Sequence, residues 1–338
     1  MAITIKQLPG PKGYPIVGSA LSIDISNMHN QIEELAAEYG PVFRLKLVTN
    51  SLIIVTDTDI VQHILKDRPE GFIRMSKVDR ILRRQGVHGV FNAEGEDWKQ
   101  HRRVVTKGLD VKHQKAFFDK MLVTVERLHK KWNKDADEGK IIDIQQDFLR
   151  FTVDITTSLA FGYDMNTIEE QGGVVQDHLE KIFPMIFKRI NDPIQWHLLV
   201  RSKKDKAYDK ALEEIYKYID QFISDGKQRL ADNPELYEKP TNCLEAILVE
   251  AESEEGFDDE EVKGNLMTLL LAGQDTTAHT LAWSIFLLTK DSKYQDALRA
   301  EADQLLGEDA WITDYDSTNL YKYTEALAYE TMRVKPVA

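Results

Sequence analysis

Apolar residues along this chain recur mostly at helical spacing, with one short exception near the start. The cluster Pro9-Gly10-Pro11-Lys12-Gly13-Tyr14-Pro15 must be extended, because proline blocks helix; His29 to Tyr39 then carries a helical pattern that Gly40-Pro41 ends. Pro41 to Leu47 and Ser51 to Thr56 alternate Val, Phe, Leu and Ile with polar residues and, joined by Val48-Thr49-Asn50, predict a hairpin. A helix begins near Asp57 to Asp59. From Asp97 helices dominate, at Asp97 to Thr106, Lys112 to Lys134, Asp143 to Phe161, Gly173 to Ile190 and Ser202 to Ala231. A long helix opens at about Asp259 with Asp258 and Glu261 in capping-box spacing, and the next opens with Ser292 and Gln295 likewise before stopping at Gly307. The pattern predicts a mainly α fold with a small β-sheet near the N-terminus.

The longest apolar stretch, Leu266 to Leu288, could span a bilayer by length, but Gln274, Asp275, Thr276, Thr277 and His279 interrupt its middle. It reads as a buried helix carrying polar chemistry, with no membrane span. The first residues hold no long apolar run behind a basic start, so neither a signal peptide nor an anchor helix is expected. With no Pro/Gly/Ser-rich linker and no internal repeat, 338 residues read as a single domain, 1–338. The acidic run Glu250 to Glu261 reads as a solvated loop.

A net charge of −13 argues against non-specific nucleic-acid binding, which requires clustered Lys and Arg in excess. The lone cysteine, Cys243, cannot form an intramolecular disulfide, so a reducing cytoplasmic setting is the simplest expectation.

The chemistry concentrates in three places. Within the long apolar helix, Ala272-Gly273-Gln274-Asp275-Thr276-Thr277 sets small residues, where a flat ligand could approach the backbone, beside a carboxylate that is costly to bury unless paired or functional. Threonine hydroxyls there can bond back to the preceding turn and bend the helix. Near the chain's end Glu330-Thr331-Met332-Arg333, followed by Pro336, places Glu330 and Arg333 on one helical face as a candidate buried or half-buried ion pair. Upstream, Trp98 and Arg102 in Trp98-Lys99-Gln100-His101-Arg102-Arg103 lie one turn apart and offer an indole N–H and a guanidinium fork.

In order and spacing these three strings resemble motifs of the cytochrome P450 family, the haem-thiolate monooxygenases: A/G-G-x-D/E-T, E-x-x-R and W-x-x-x-R. Pro9 to Pro15 is similar to the family's proline-rich hinge, and Tyr39-Gly40-Pro41-Val42-Phe43 to the start of its first sheet. Missing an anchor helix, the sequence is closer to the soluble, bacterial-type members. The resemblance implies haem b, with Trp98, Arg102, Ala272 and Gly273 binding the cofactor, Asp275 and Thr276 as the catalytic pair that relays protons to bound oxygen, and Glu330 and Arg333 as structural support. It implies a small apolar organic substrate, hydroxylated with electrons from NAD(P)H through a ferredoxin or reductase. A basic face of Lys99, Arg103 and Lys107 would attract that donor. Specificity is expected from a loop about Ser76 to Gly89 and from Phe183, Met185, Ile186, Phe187, Ile190 and Trp196.

The resemblance stops before the family's cysteine loop, F-x-x-G-x-R-x-C-x-G, which supplies the iron's thiolate; no metal ligand is expected within these residues. Cys243 lacks the bracketing glycines and reads as a small buried residue. This chain alone is expected to be inactive, because the thiolate drives O–O cleavage. The alternative is a non-catalytic helical module for ligand binding or protein interaction, built on the same fold.

Overall fold

The computed structural model describes residues 4–15, 18–19, 23–24, 27–47, 50–68, 70–169, 174–192, 195–253, 256–307, 309 and 311–337. They fall into two compact units, 1–75 and 76–338, within the span where the sequence shows no linker.

The first unit holds the sheet. Strands β1 (Val42–Leu47) and β2 (Asn50–Val55) pair antiparallel, with Val42 opposite Val55 and Leu47 opposite Asn50. Alternation buries Phe43 and Leu45 completely and turns the residues between them outward. The proline-rich segment runs beside β1, where Pro9 O accepts from the Arg44 N–H at 2.8 Å. Gly10 is required there, since a Cβ would come within 2.1 Å of Arg44 O. Helix α1 (Met28–Tyr39) ends at Gly40, and α2 (Thr58–Lys66) begins where Asp57 accepts from the N–H groups of Asp59 and Ile60.

The second unit has helices and no strand among its described residues: α3 (Ser76–Arg83), α4 (Gly95–Gly108), α5 (Val111–Asp137), α6 (Ile144–Phe161), α7 (Val174–Asn191), α8 (Lys203–Asp232), α9 (Cys243–Ala251), α10 (Asp259–Leu288), α11 (Ser292–Leu306) and α12 (Lys322–Val334). Gly173, the expected start of α7, lies outside the described residues. Two local expectations change. Ser76 to Gly89 is not simply a loop, because Ile81 and Leu82 are buried and α3 folds around them. Asp291, not Ser292, caps α11, its carboxylate accepting from the Lys293 N–H, while Gln295 donates to Leu288 O.

The core forms where α6, α7, α8 and α9 meet α10, around Val153, Phe161, Leu179, Ile182, Ile215, Phe222, Leu244, Ile247, Leu266 and Leu270. Along α6 and α10 the backbones approach closely: the Thr152 hydroxyl donates to Gln274 O at 2.8 Å, and a Cβ on Gly273 would sit 2.3 Å from Thr156 Oγ1. Cys243 is fully buried at the head of α9, its thiol 3.8 Å from Val105 O, and burial pushes its pKa up to about 12. A thiol held that firmly protonated is a packing residue, not a thiolate ligand.

Candidate functional site

A capping box fixes the start of α10: Asp258 accepts from the Glu261 N–H at 2.8 Å, and Glu261 Oε2 accepts from the Asp258 N–H at 2.9 Å. Further along, hydroxyls bond back one turn, Thr268 to Gly264 O, Thr276 to Ala272 O, Thr280 to Thr276 O and Ser284 to Thr280 O. The helix runs unbroken through Asp259–Leu288, because a carbonyl's second lone pair takes the hydroxyl without giving up its N–H partner. The Thr276 hydroxyl therefore commits its proton to Ala272 O at 2.9 Å and keeps its lone pairs for an incoming donor. Ala272 and Thr277 are exposed and Thr276 half-buried, so this face of α10 is accessible to a ligand.

Asp275 serves a different space. Successive helical residues diverge by about 100°, and no hydrogen bond joins the Asp275 and Thr276 side chains. Asp275 borders a cavity of about 490 Å³ with Gln145, Glu180, Phe183 and His279. Burial raises its carboxyl pKa, His279 pulls it back and Glu180 pushes it further up, so the group holds its proton to higher pH than an ordinary aspartate. His279 Nδ1 lies 2.7 Å from Asp275 O; a carbonyl only accepts, so Nδ1 carries the proton and Nε2 accepts from Gln145 at 3.1 Å.

Gly273 was expected to make room for a flat ligand. The structure spends its missing side chain on helix packing instead, against Thr156 of α6. Gln274 is fully buried with neither amide atom hydrogen-bonded among the described residues, a costly position that the sequence pattern does not reveal.

On α4, Val104, Val105, Gly108 and His101 face inward at helical spacing, and Trp98 and Arg102 lie outside. Trp98 is 37% exposed, and Arg102 is exposed with no ion pair or hydrogen bond among the described residues. An unengaged guanidinium one turn from an indole suits an external carboxylate. His101, which the sequence reading passed over, is fully buried; it stacks on Phe257 with ring centres 4.7 Å apart and lies 2.7 Å from the Asn265 amide of α10. Burial lowers its pKa, against the opposing pull of Asp97.

Other expectations are corrected. Glu330 and Arg333 do pair, at 2.7 Å through both oxygens, but on the surface: their side chains are 57% and 71% exposed. Helix α12 packs through Thr331, whose hydroxyl lies 3.1 Å from that of Ser284 of α10, while the flanking charges face solvent. Arg333→Ala is accordingly expected to leave this chain's thermal midpoint unchanged within the error of a melting experiment. The basic face of α4 is largely neutralised: Lys99 binds Glu96, and Arg103 binds Glu250, which also lies 4.0 Å from Lys107. Of the expected apolar roof, Met185 and Ile186 are core residues, Phe187 is exposed and only Phe183 borders the Asp275 cavity; the Trp196 side chain lies outside the described residues.

The hydroxyl-bearing face of α10 and the accessible Trp–Arg pair on α4 carry the motifs that resemble those of a class of helical haem proteins. The sequence model of the cytochrome P450 family matches residues 8–338, and the chain belongs to that family. It is 26% identical to the Arabidopsis thaliana protein LUTEIN DEFICIENT 5, chloroplastic, over 96% of this chain and 55% of that protein. Identity is also 26% to cytochrome P450 94A1 of Vicia sativa, over 96% of this chain and 64% of that protein. With the bifunctional cytochrome P450/NADPH–P450 reductase 2 of Bacillus subtilis it is 24%, over 98% of this chain and 31% of the relative. The chain thus spans between about a third and two thirds of these relatives' lengths. Plant as well as bacterial proteins are among them, so the expected bacterial-type character is not distinguished. Among the described residues no helix is long and apolar enough to cross a membrane.

Proposed function

We propose that the protein of which these residues form a part is a haem-dependent monooxygenase that hydroxylates a small apolar organic substrate. One observation carries this reading: a half-buried threonine with its lone pairs directed away from its own helix stands next in sequence to a desolvated, proton-retaining carboxyl. The residues present fit haem on two counts, the unengaged Arg102 beside Trp98 for a propionate and the small, exposed Ala272 beside Thr276. The iron's thiolate must come from outside these residues, since Cys243 is buried and protonated.

Haem b, when bound, supplies the activation of dioxygen. The chain's own residues do the rest. Arg102 and Trp98 orient the cofactor; Thr276 accepts and passes a proton at Oγ1; Asp275 stores one at its carboxyl. Electrons would come from NAD(P)H through a reductase or ferredoxin, in keeping with the reductase-fused relatives. The single cysteine suits a reducing compartment such as the cytoplasm.

In the complete protein, Thr276→Ala is expected to uncouple NAD(P)H consumption from product and divert reducing equivalents to peroxide, with substrate affinity unchanged. Stoichiometry of cofactor, peroxide and product measures this. Unchanged coupling would remove Thr276 from the relay, and absence of a red-shifted carbon-monoxide band in the reduced complete protein would refute the assignment itself.

A further inference from the structure

We propose that His88, Asp97, His101 and Glu261 form a site for a first-row divalent cation of the zinc type, joining the start of α4 to the start of α10. The four donor atoms all lie within 4.8 Å of one another. Asp97 turns one oxygen to each imidazole: Oδ2 is 3.2 Å from His88 Nε2, and Oδ1 is 3.2 Å from His101 Nε2. His101 is fully buried, and its Nε2 has no hydrogen bond among the described residues, so a polar atom points into the cluster unpaired. Glu261 commits Oε2 to the capping box and leaves Oε1 4.0 Å from His101 Nε2. Tetrahedral ligands with bonds of about 2.0–2.2 Å stand roughly 3.4 Å apart, so donor atoms that all lie within 4.8 Å of one another need close by at most about 1.5 Å.

Two imidazoles and two carboxylates favour zinc and its neighbours over magnesium or calcium, which take oxygen alone, and over copper(I), which takes sulfur. With four protein donors the site is closed and structural. The backbone makes it possible: Gly264 lets the His88 loop press onto α10, where a Cβ would meet His88 O at 2.1 Å. A cavity of about 290 Å³ bordered by Arg83, His88, Glu260 and Lys263 gives access.

Binding changes tautomers, not redox state. Without metal, the Asn265 amide donates to His101 Nδ1, and Arg83 lies 3.2 Å from His88 Nδ1, so both Nε2 atoms carry the proton. The cation takes both Nε2 lone pairs and each proton moves to Nδ1. Asn265 then turns its amide to accept from His101, giving up its bond to Glu261 O and the one it accepts from the Val90 N–H, and Arg83, 43% exposed, moves away.

Titration of the full chain with Zn²⁺ by calorimetry, and with Co²⁺ by absorption, tests the site without haem. One equivalent should bind, with tetrahedral Co²⁺ bands. His88→Ala and Glu261→Gln should each weaken binding at least tenfold with the circular dichroism unchanged, Gln keeping the capping box. Asn265→Asp, which gives the His101 Nδ1–H a better acceptor, should tighten it about tenfold. No saturable binding, or parental affinity in both His88→Ala and Glu261→Gln, overturns the site.

Discussion

Asp205→Ala is expected to destabilise the protein by about 3–5 kcal/mol, measured as loss of urea midpoint at constant slope. Arg189 and Asp205 are both buried, with Arg189 donating to Asp205 at 3.2 Å and to Gln85 at 3.0 Å while its guanidinium lies over the Tyr208 ring. Gln85 in turn accepts from the Tyr208 hydroxyl at 2.5 Å. Removing the carboxylate leaves a buried cation with amide and ring but no counter-charge, and also breaks the capping box that Asp205 forms with Ser202 at the start of α8. The hydrogen bonds from Ser202 and Arg189 hold the Asp205 pKa well below its usual 3.8, at about 2, against the upward push of burial. A pKa depressed in the folded state stabilises at pH above the unfolded value, and that stability is lost as pH falls through about 2. Asp205→Asn should therefore cost less than alanine at neutral pH and flatten the acid limb of the stability curve between about pH 4 and 2. An acid limb identical to the parent's would show that Asp205 is not ionised against Arg189.

Gly273→Val should cost on the order of 3 kcal/mol, because the new side chain must enter space already filled by Thr156 of α6, whose Oγ1 would lie 2.3 Å from even a Cβ. The bond from Thr152 to Gln274 O depends on the same approach of α6 and α10. Thr156→Ala in the valine background should recover much of the loss, since the sites are in contact and their effects are not additive. Neutral behaviour of Gly273→Val in chemical unfolding would mean that the helices are not held this close, and the ligand-facing role expected for Gly273 would stand again.

Much of the proposed catalytic pair was legible because it lies in a single helix. A polar notch in an apolar run is visible in one dimension, and Asp275 and Thr276 stand where that notch says, on a continuous helix with the expected hydroxyl back-bond. Their division of labour was not legible, since direction around a helix has meaning only once neighbouring elements are placed. The Asp97–His101 spacing of one turn was a readable sign of paired donors; their convergence with His88 and Glu261 was not, because those arrive from a loop and another helix.

By itself the sequence determined what local chemistry controls: a hairpin from alternation, helix starts at Asp57, Asp143, Ser202 and Asp258, the ends at Gly40 and Gly307, and the family from motifs in order along the chain. Only the tertiary structure decided which face of each helix is covered. That choice moved Gly273 from ligand contact to helix packing, left Glu330 and Arg333 in water, folded Met185 and Ile186 into the core and buried His101. The physical reason is range: capping and alternation are settled over a few residues, whereas burial is settled by surfaces that meet from positions far apart in the chain.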